Sequence, residues 1–231
     1  MGKKKKARWA EMLLFENVIQ PDINDIRTHK HALKGKWNSK YFKNNNPIVL
    51  ELGCGKGEYT LELAKLFPDK NFTGIDIKGA RIWRGAKTAI ENKIPNVLFL
   101  RTRIEFIDSF FSENEVDEIW ITFPDPFSKN RNSGKRLTSP FFLNSYRKFL
   151  KDKGIIHLKT DNKGLFDYTL DIVKSNNLEI LNATDNLYSG VMDNKILSIR
   201  TYYENTYLNE GKNIHYLAFM LNSKKPVKDA G

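Results

Sequence analysis

Residues Ile48 to Glu58 read Ile-Val-Leu-Glu-Leu-Gly-Cys-Gly-Lys-Gly-Glu, and they constrain the fold more than any other stretch. The apolar run predicts a buried strand over 48–53. Glycines then recur at alternate positions, Gly53, Gly55 and Gly57, and Tyr59, Leu63, Leu66 and Phe67 follow on one helical face. A strand, a glycine turn and a helix start make a nucleotide-type binding corner. Glycine lets the chain turn sharply there and lets a ligand approach the main chain.

The spacing discriminates between ligands. A dinucleotide site spaces its glycines G-x-G-x-x-G and seats a pyrophosphate on the helix N-terminus. Here the spacing is G-x-G-x-G, flanked by Glu51 and Glu58, whose carboxylates would repel a pyrophosphate. They suit a ligand that carries positive charge and no phosphate, as S-adenosylmethionine (AdoMet) does with its sulfonium and ammonium. Asp76 closes a second apolar strand, Phe72 to Ile75, at the place of a ribose-binding acid. Glu51, Gly53, Gly55, Gly57 and Asp76 are therefore the expected cofactor residues.

From Pro47 onward strand-like and helix-like patterns alternate. Strands are predicted at 48–53, 71–76, 97–101, 117–122 and 154–159, with late strands near 178–184 and 213–222. Helical spacing appears in Ile82, Trp83, Ala86, Ala89 and Ile90, in Phe142, Tyr146, Phe149 and Leu150, and over 162–175. The expectation is an α/β fold: a mostly parallel seven-stranded sheet, helices on both faces and an antiparallel edge strand. Residues 47–222 form this domain, 1–46 a basic N-terminal extension with 1–8 disordered, and 223–231 a flexible tail.

The charge is uneven. There are 38 Lys and Arg against 27 Asp and Glu, a net +11, which points to a polyanionic partner. The single cysteine, Cys54, cannot form an internal disulfide, which fits a reducing cytoplasm; its place in the glycine loop suggests a small filler. His29, His31, His157 and His215 show no zinc-type spacing, so no metal is expected. No apolar run reaches the length of a membrane span.

The fourth predicted strand of the domain runs into Phe123-Pro124-Asp125-Pro126-Phe127, followed by Lys129, Arg131, Lys135 and Arg136. Two prolines fix the backbone on either side of one aspartate. Such a sequence also makes an ordinary turn. The flanking aromatics offer a stacking surface for a base, and the cations suit phosphates. An aspartate can accept hydrogen bonds from guanine's Watson–Crick edge.

These motifs resemble those of the bacterial tRNA (guanine-N7-)-methyltransferases, class I AdoMet-dependent enzymes with a Rossmann-like fold. The resemblance covers about Lys34 to Leu221. It is carried by Gly35-Lys36-Trp37, the Glu51–Gly57 loop, Gly74 to Asp76, Phe123 to Phe127 with Lys129, Lys135-Arg136, His157 to Asn162 and Thr201 to Glu204. It implies methyl transfer from AdoMet to N7 of the variable-loop guanine of tRNA. It also implies AdoMet binding by Glu51 and Asp76, a catalytic Asp125 that lines the cofactor pocket too, and substrate contacts from Lys129, Asp161, Thr201 and Glu204. Arg131 and Arg136 join these as basic residues beside the loop. Related proteins include both monomers and homodimers. Three positions depart from the family pattern: Asp76 stands for a common glutamate, Phe127 for tryptophan, and Arg103 for an acid or amide. The adenine is then read by backbone groups of Arg103 and Ile104. Thr201 and Glu204 also have the spacing of a helix capping box, and Asp161 precedes a helix it could cap. Two other readings share these motifs: methylation of another nucleobase position, and a non-catalytic RNA-binding protein on the same fold.

Overall fold

The computed structural model describes residues 3–28, 31–189, 194–222 and 224–230; His29 lies outside them. The chain divides into two compact units, 1–111 and 112–231, so the span read as one domain is shared between them.

The first unit contains helix α1 (Lys3–Met12), strand β1 (Val18–Ile19), α2 (Ile23–Thr28), β2 (Ile48–Leu52), α3 (Glu58–Leu66), β3 (Asn71–Asp76), α4 (Gly79–Glu91) and β4 (Val97–Arg101). Its strands lie in the order β1-β4-β3-β2 and pair in parallel. Every residue of β2 and β3 is buried, as expected of parallel strands covered on both faces. The predicted strand at 48–53 ends at Leu52, because Gly53 turns with φ 74°.

The N-terminal extension is more ordered than its composition implies. The lysine run opens α1, where disorder is predicted. The reason is tertiary: Met12 is buried, the Arg8 guanidinium lies 4.5 Å from the Trp83 ring centre, and Glu11 accepts from Trp83 Nε1 and Lys87 Nζ, each at 2.8 Å. The extension also supplies β1, an extra strand beside β4, with Val18 opposite Phe99. Trp37 is fully buried, donates from Nε1 to the Phe110 carbonyl at 2.8 Å and stacks on Phe111. The Gly35-Lys36-Trp37 motif thus anchors the extension to its own unit.

The second unit contains β5 (Val116–Thr122), α5 (Pro140–Tyr146), β6 (Leu150–Thr160), α6 (Lys163–Ser175), β7 (Ile180–Thr184), α7 (Tyr202–Asn209) and β8 (His215–Leu221). The order is β5-β6-β8-β7, with β5 and β6 parallel and β8 antiparallel to both neighbours. The expected antiparallel edge is therefore present. The described residues hold eight strands, not seven, the addition being β1. Phe149 and Leu150 do not continue α5. The chain leaves the helix after Tyr146, and Leu150 begins β6.

His157 belongs to a buried stack. Its ring lies 3.9 Å from that of Trp120, its Nδ1 is 2.8 Å from the Tyr216 hydroxyl, and its Nε2 is 3.1 Å from Glu118. The tail is tied down where flexibility is predicted. Asn144 bonds both main-chain groups of Val227, at 2.8 and 2.9 Å, and Asn176 does the same for Lys228, at 2.9 and 2.7 Å. Val227 is buried. Residues 223 and 231 of that tail lie outside the described ones. No described helix is long and apolar enough to cross a membrane.

Candidate active-site elements

The first unit holds the glycine corner. Gly53, Gly55 and Gly57 all have positive φ, of 74°, 58° and 70°. The turn is pinned from beneath: the Gly53 and Cys54 amides donate to the Ile75 carbonyl at 2.8 and 3.0 Å, and Gly57 N donates to Cys54 O at 2.8 Å. Asp76 joins the corner directly. Its Oδ2 accepts from Gly55 N at 3.0 Å and its Oδ1 from Lys78 N at 2.7 Å, so one carboxylate fixes the loop and the start of α4. Glu51 is buried, and its Oε2 accepts from both the amide (2.8 Å) and the hydroxyl of Thr60 in the first turn of α3. Each carboxylate oxygen has two acceptor directions, and Asp76 spends one on each of these bonds.

The glycines have different duties. A Cβ on Gly53 would meet nothing within 4 Å, so open space lies in front of it. A Cβ on Gly57 would stand 2.5 Å from Phe99 Cε1, and Gly74 and Gly85 press on the same ring at 2.8 and 2.7 Å. Three glycines therefore cradle Phe99, a residue that sequence reasoning missed. Open space in front of a positive-φ loop with two acids fits a cationic ligand without phosphate, such as AdoMet. Burial, then Glu51 and Asp76, push the Cys54 thiol well above its ordinary range, so it is no nucleophile. Arg103 and Ile104 follow β4, which lies beside β3 with Asp76 opposite Arg101. The Arg103 side chain turns outward and pairs with Glu105 at 2.8 Å, which holds its guanidinium more firmly protonated.

The second unit holds the proline loop. Phe123 and Phe127 both have positive φ, 49° and 41°, in a region costly for bulky side chains, on the order of 1–3 kcal/mol each. Three contacts enforce it. Phe123 N donates to Lys159 O at 2.8 Å, Asp125 Oδ1 accepts from Phe127 N at 3.0 Å, and Arg136 donates to the Pro126 and Phe127 carbonyls at 3.1 and 3.2 Å. The Asp125 carboxyl is exposed at the crest of this held turn. Proline alone does not set the turn, because the aspartate contributes as well. Arg136 is buried, with its guanidinium 4.3 Å from the Tyr168 ring centre, so it is a clamp on the loop where a phosphate contact is predicted. Lys129, Arg131 and Lys135 are exposed. A cleft of about 410 Å³ opens beside the loop, lined by Pro126, Ser128, Arg136, Asn162 and Tyr168 among others.

Asp161 follows β6, adjacent to the strand that feeds the loop, and meets Lys212 Nζ at 3.4 Å. Asn162, not Asp161, caps α6, accepting from Leu165 N at 2.9 Å. Thr201 and Glu204 form a complete capping box at α7. Glu204 is fully buried and paired with Lys159 at 2.8 Å, so its carboxylate faces inward, not toward a substrate. Tyr202 and Tyr203 between them are exposed. Lys159 lies within the His157–Asn162 motif, which assigned it no role, and Tyr188 and Lys212 are site neighbours that no motif reading singled out. Among the described residues, no three His, Cys, Asp or Glu side chains group as a metal site requires.

Residues 45–217 match a family described as putative methyltransferase. A Christiangramia forsetii protein described as tRNA (guanine-N(7)-)-methyltransferase is 52% identical over 223 residues, 96% of this chain and 100% of its own. Proteins of the same description from Porphyromonas gingivalis and Bacteroides fragilis are 55% and 47% identical, over 91% and 99% of this chain and 86% and 90% of their own. Among solved structures, the 16S rRNA methyltransferase KamB superposes with a TM-score of 0.61 over 80% of this chain and 92% of its own, at 13% identity. An antibiotic-related methyltransferase superposes at 0.60 over 90% and 98%, at 16%. At such identities the likeness concerns the fold, which is the Rossmann-like α/β fold of class I methyltransferases. With relatives about half identical along nearly the whole chain, and with the glycine corner and proline loop intact, the chain belongs to the tRNA (guanine-N7-)-methyltransferase family.

Proposed function

We propose that this protein transfers the methyl group of AdoMet to N7 of the variable-loop guanine of tRNA, in a reducing cytoplasm. The observation that carries the reading is the clamped Phe123–Phe127 turn, which lifts one carboxylate, Asp125, into solvent on a strained backbone. Strain that is enforced from three sides is characteristic of sites that pre-position a reacting group.

The chemistry asks little of a protein base. Guanine N7 carries an in-plane lone pair, so no proton must leave before it attacks. AdoMet, when bound, supplies an electrophilic methyl on a sulfonium. The protein's task is orientation, which is worth roughly 7–11 kcal/mol when geometry is fixed. Asp125 accepts from the guanine N1–H and N2–H groups and offsets the positive charge that appears on the purine. This accounts for an acid with no histidine partner. Lys129 and Arg131, both exposed, meet phosphates, and Asp161 a polar group of the RNA. In the first unit, Asp76 serves the ribose hydroxyls, Glu51 the cationic end, and the Gly53–Gly57 main chain the close approach of the cofactor. Backbone groups of Arg103 and Ile104 serve the adenine.

The test is transfer of tritiated methyl from AdoMet to unmodified tRNA, followed by nuclease digestion and nucleoside identification. The expected product is 7-methylguanosine. Label in another methylated base, or AdoMet binding without transfer, refutes the reading.

A further inference from the structure

Lys159 and its partner Glu204 are both fully buried charges of the second unit, each with a side chain 0% exposed. A buried ammonium needs all three of its protons accepted. Here Nζ donates to the Leu197 carbonyl at 3.0 Å and the Ile199 carbonyl at 2.9 Å, and pairs with Glu204 Oε1 at 2.8 Å. Glu204 is satisfied in turn. The Tyr188 hydroxyl donates to Oε1 at 2.5 Å, Oε2 accepts from Thr201 N at 3.4 Å, and the Glu204 amide donates to Thr201 Oγ1 at 3.2 Å. Arg200 lies over the Tyr188 ring at 4.6 Å. The cluster therefore fixes residues 197–204 from below and turns Tyr202 and Tyr203 outward, 61% and 46% exposed. The same residue acts through its main chain: the Lys159 carbonyl accepts from Phe123 N, the first strained residue of the proline loop.

We propose that Lys159 is a positioning residue for tRNA methylation, holding the Asp125 loop through its carbonyl and the Thr201–Glu204 turn through its ammonium. Stability does not explain the pair. Replacing a buried ion pair by apolar groups is often neutral or stabilising, whereas removing one partner costs several kcal/mol. What apolar groups cannot do is accept from Thr201 N or donate to the Leu197 and Ile199 carbonyls, and those bonds set the conformation of the segment. Burial pulls the lysine's pKa down and the Glu204 charge opposes that pull, which ties the ammonium to its partner. The inference rests on the proposed tRNA methylation and assigns Glu204 an internal role within it.

Three variants test it: Lys159→Met, Lys159→Met/Glu204→Leu, and Glu204→Gln, which keeps shape and removes charge. Melting temperature, AdoMet affinity by calorimetry and steady-state methylation of unmodified tRNA are read for each. Lys159→Met should melt lower, and the double variant should regain part of that loss, because it no longer buries an unpaired charge. AdoMet affinity should stay within about twofold, while kcat/KM for tRNA stays at least ~10-fold down in the double variant, with KM rising more than kcat falls. A stable double variant with wild-type kcat/KM overturns the proposal and leaves the pair structural. If the double variant does not fold, Glu204→Gln decides: a raised KM supports the proposal and a wild-type KM overturns it. Wild-type protein that fails to methylate tRNA would instead refute the function on which the proposal depends.

Discussion

Gly53 and Gly57 stand four residues apart in one loop, with nearly equal φ of 74° and 70°. Their replacement by alanine should give opposite phenotypes. A left-handed conformation costs an alanine about 1–2 kcal/mol, offset by about 0.4–1 kcal/mol from a less flexible unfolded chain. For Gly53→Ala that is the whole structural effect, because its Cβ meets nothing within 4 Å. The net loss is on the order of 1 kcal/mol, or roughly 2–4 °C for a chain of this size. For Gly57→Ala the Cβ falls 2.5 Å from a ring carbon of Phe99, which is fully buried and already flanked by Gly74 and Gly85. The ring has no open side. Overpacking adds about 1–3 kcal/mol, for a total near 2–4 kcal/mol and a fall of roughly 5–15 °C. Ligand affinity should rank the other way. The Gly53 methyl projects into the space proposed for AdoMet, so calorimetry should show at least ~10-fold weaker binding, the cost of losing one or two good contacts. Gly57→Ala, assayed well below its melting point, should bind better than Gly53→Ala. Thermal melts and AdoMet titrations on both variants decide the matter. Equal melting temperatures would refute the Phe99 cradle, and wild-type AdoMet affinity in Gly53→Ala would refute the cofactor's placement.

Three further outcomes follow from the same geometry. Asp125→Ala and Asp125→Asn should both lose ~10²-fold or more in single-turnover methyl transfer. Only alanine should also lose about 1 kcal/mol of stability, because asparagine still accepts from Phe127 N. Lys129→Ala should weaken tRNA binding and lower its salt slope by somewhat under one unit, while Arg136→Ala should mainly lower turnover, because it releases the Pro126 and Phe127 carbonyls; equal effects on the salt slope would place Arg136 on the RNA. Cys54 titrates above its ordinary range, so its reactive thiolate appears only at strongly alkaline pH in the folded state; iodoacetamide should modify it at pH ~8.5 in denaturant and not in native protein.

Most of the sheet was legible because its strands are buried on both faces and bounded by turn residues. Asn71–Asp76 and Val97–Arg101 match their predicted limits. What escaped depends on distant partners. A two-residue strand such as β1 has no periodicity to read. The lysine run is helical through what Trp83 and Lys87 do for Arg8 and Glu11, more than seventy residues away in sequence. Phe149 and Leu150 continue a helical spacing, yet the chain needs them to enter β6.

The site shows the same division at finer grain. The placement of the glycines, Asp76 and Asp125 was readable because it is local: a positive φ, an acid that ends a strand, a carboxylate between prolines. The charged residues were not, because a cation that meets RNA and a cation that meets the protein's own carbonyls look alike in a sequence. Arg136 follows Lys135 directly, and one is buried on Pro126 and Phe127 while the other is exposed. Lys34 spends its ammonium on the Asp108 carbonyl at 2.7 Å, and Lys159 on Leu197 and Ile199. Arg136 and Lys159 close carbonyls of irregular loops, at Pro126, Phe127, Leu197 and Ile199, and buried backbone must obtain such partners somewhere. A fold that carries its chemistry on long loops therefore needs internal cations as well as external ones. Part of the net +11 serves to hold the loops, and the charge open to a polyanion is the exposed remainder, which includes Lys129, Arg131 and Lys135.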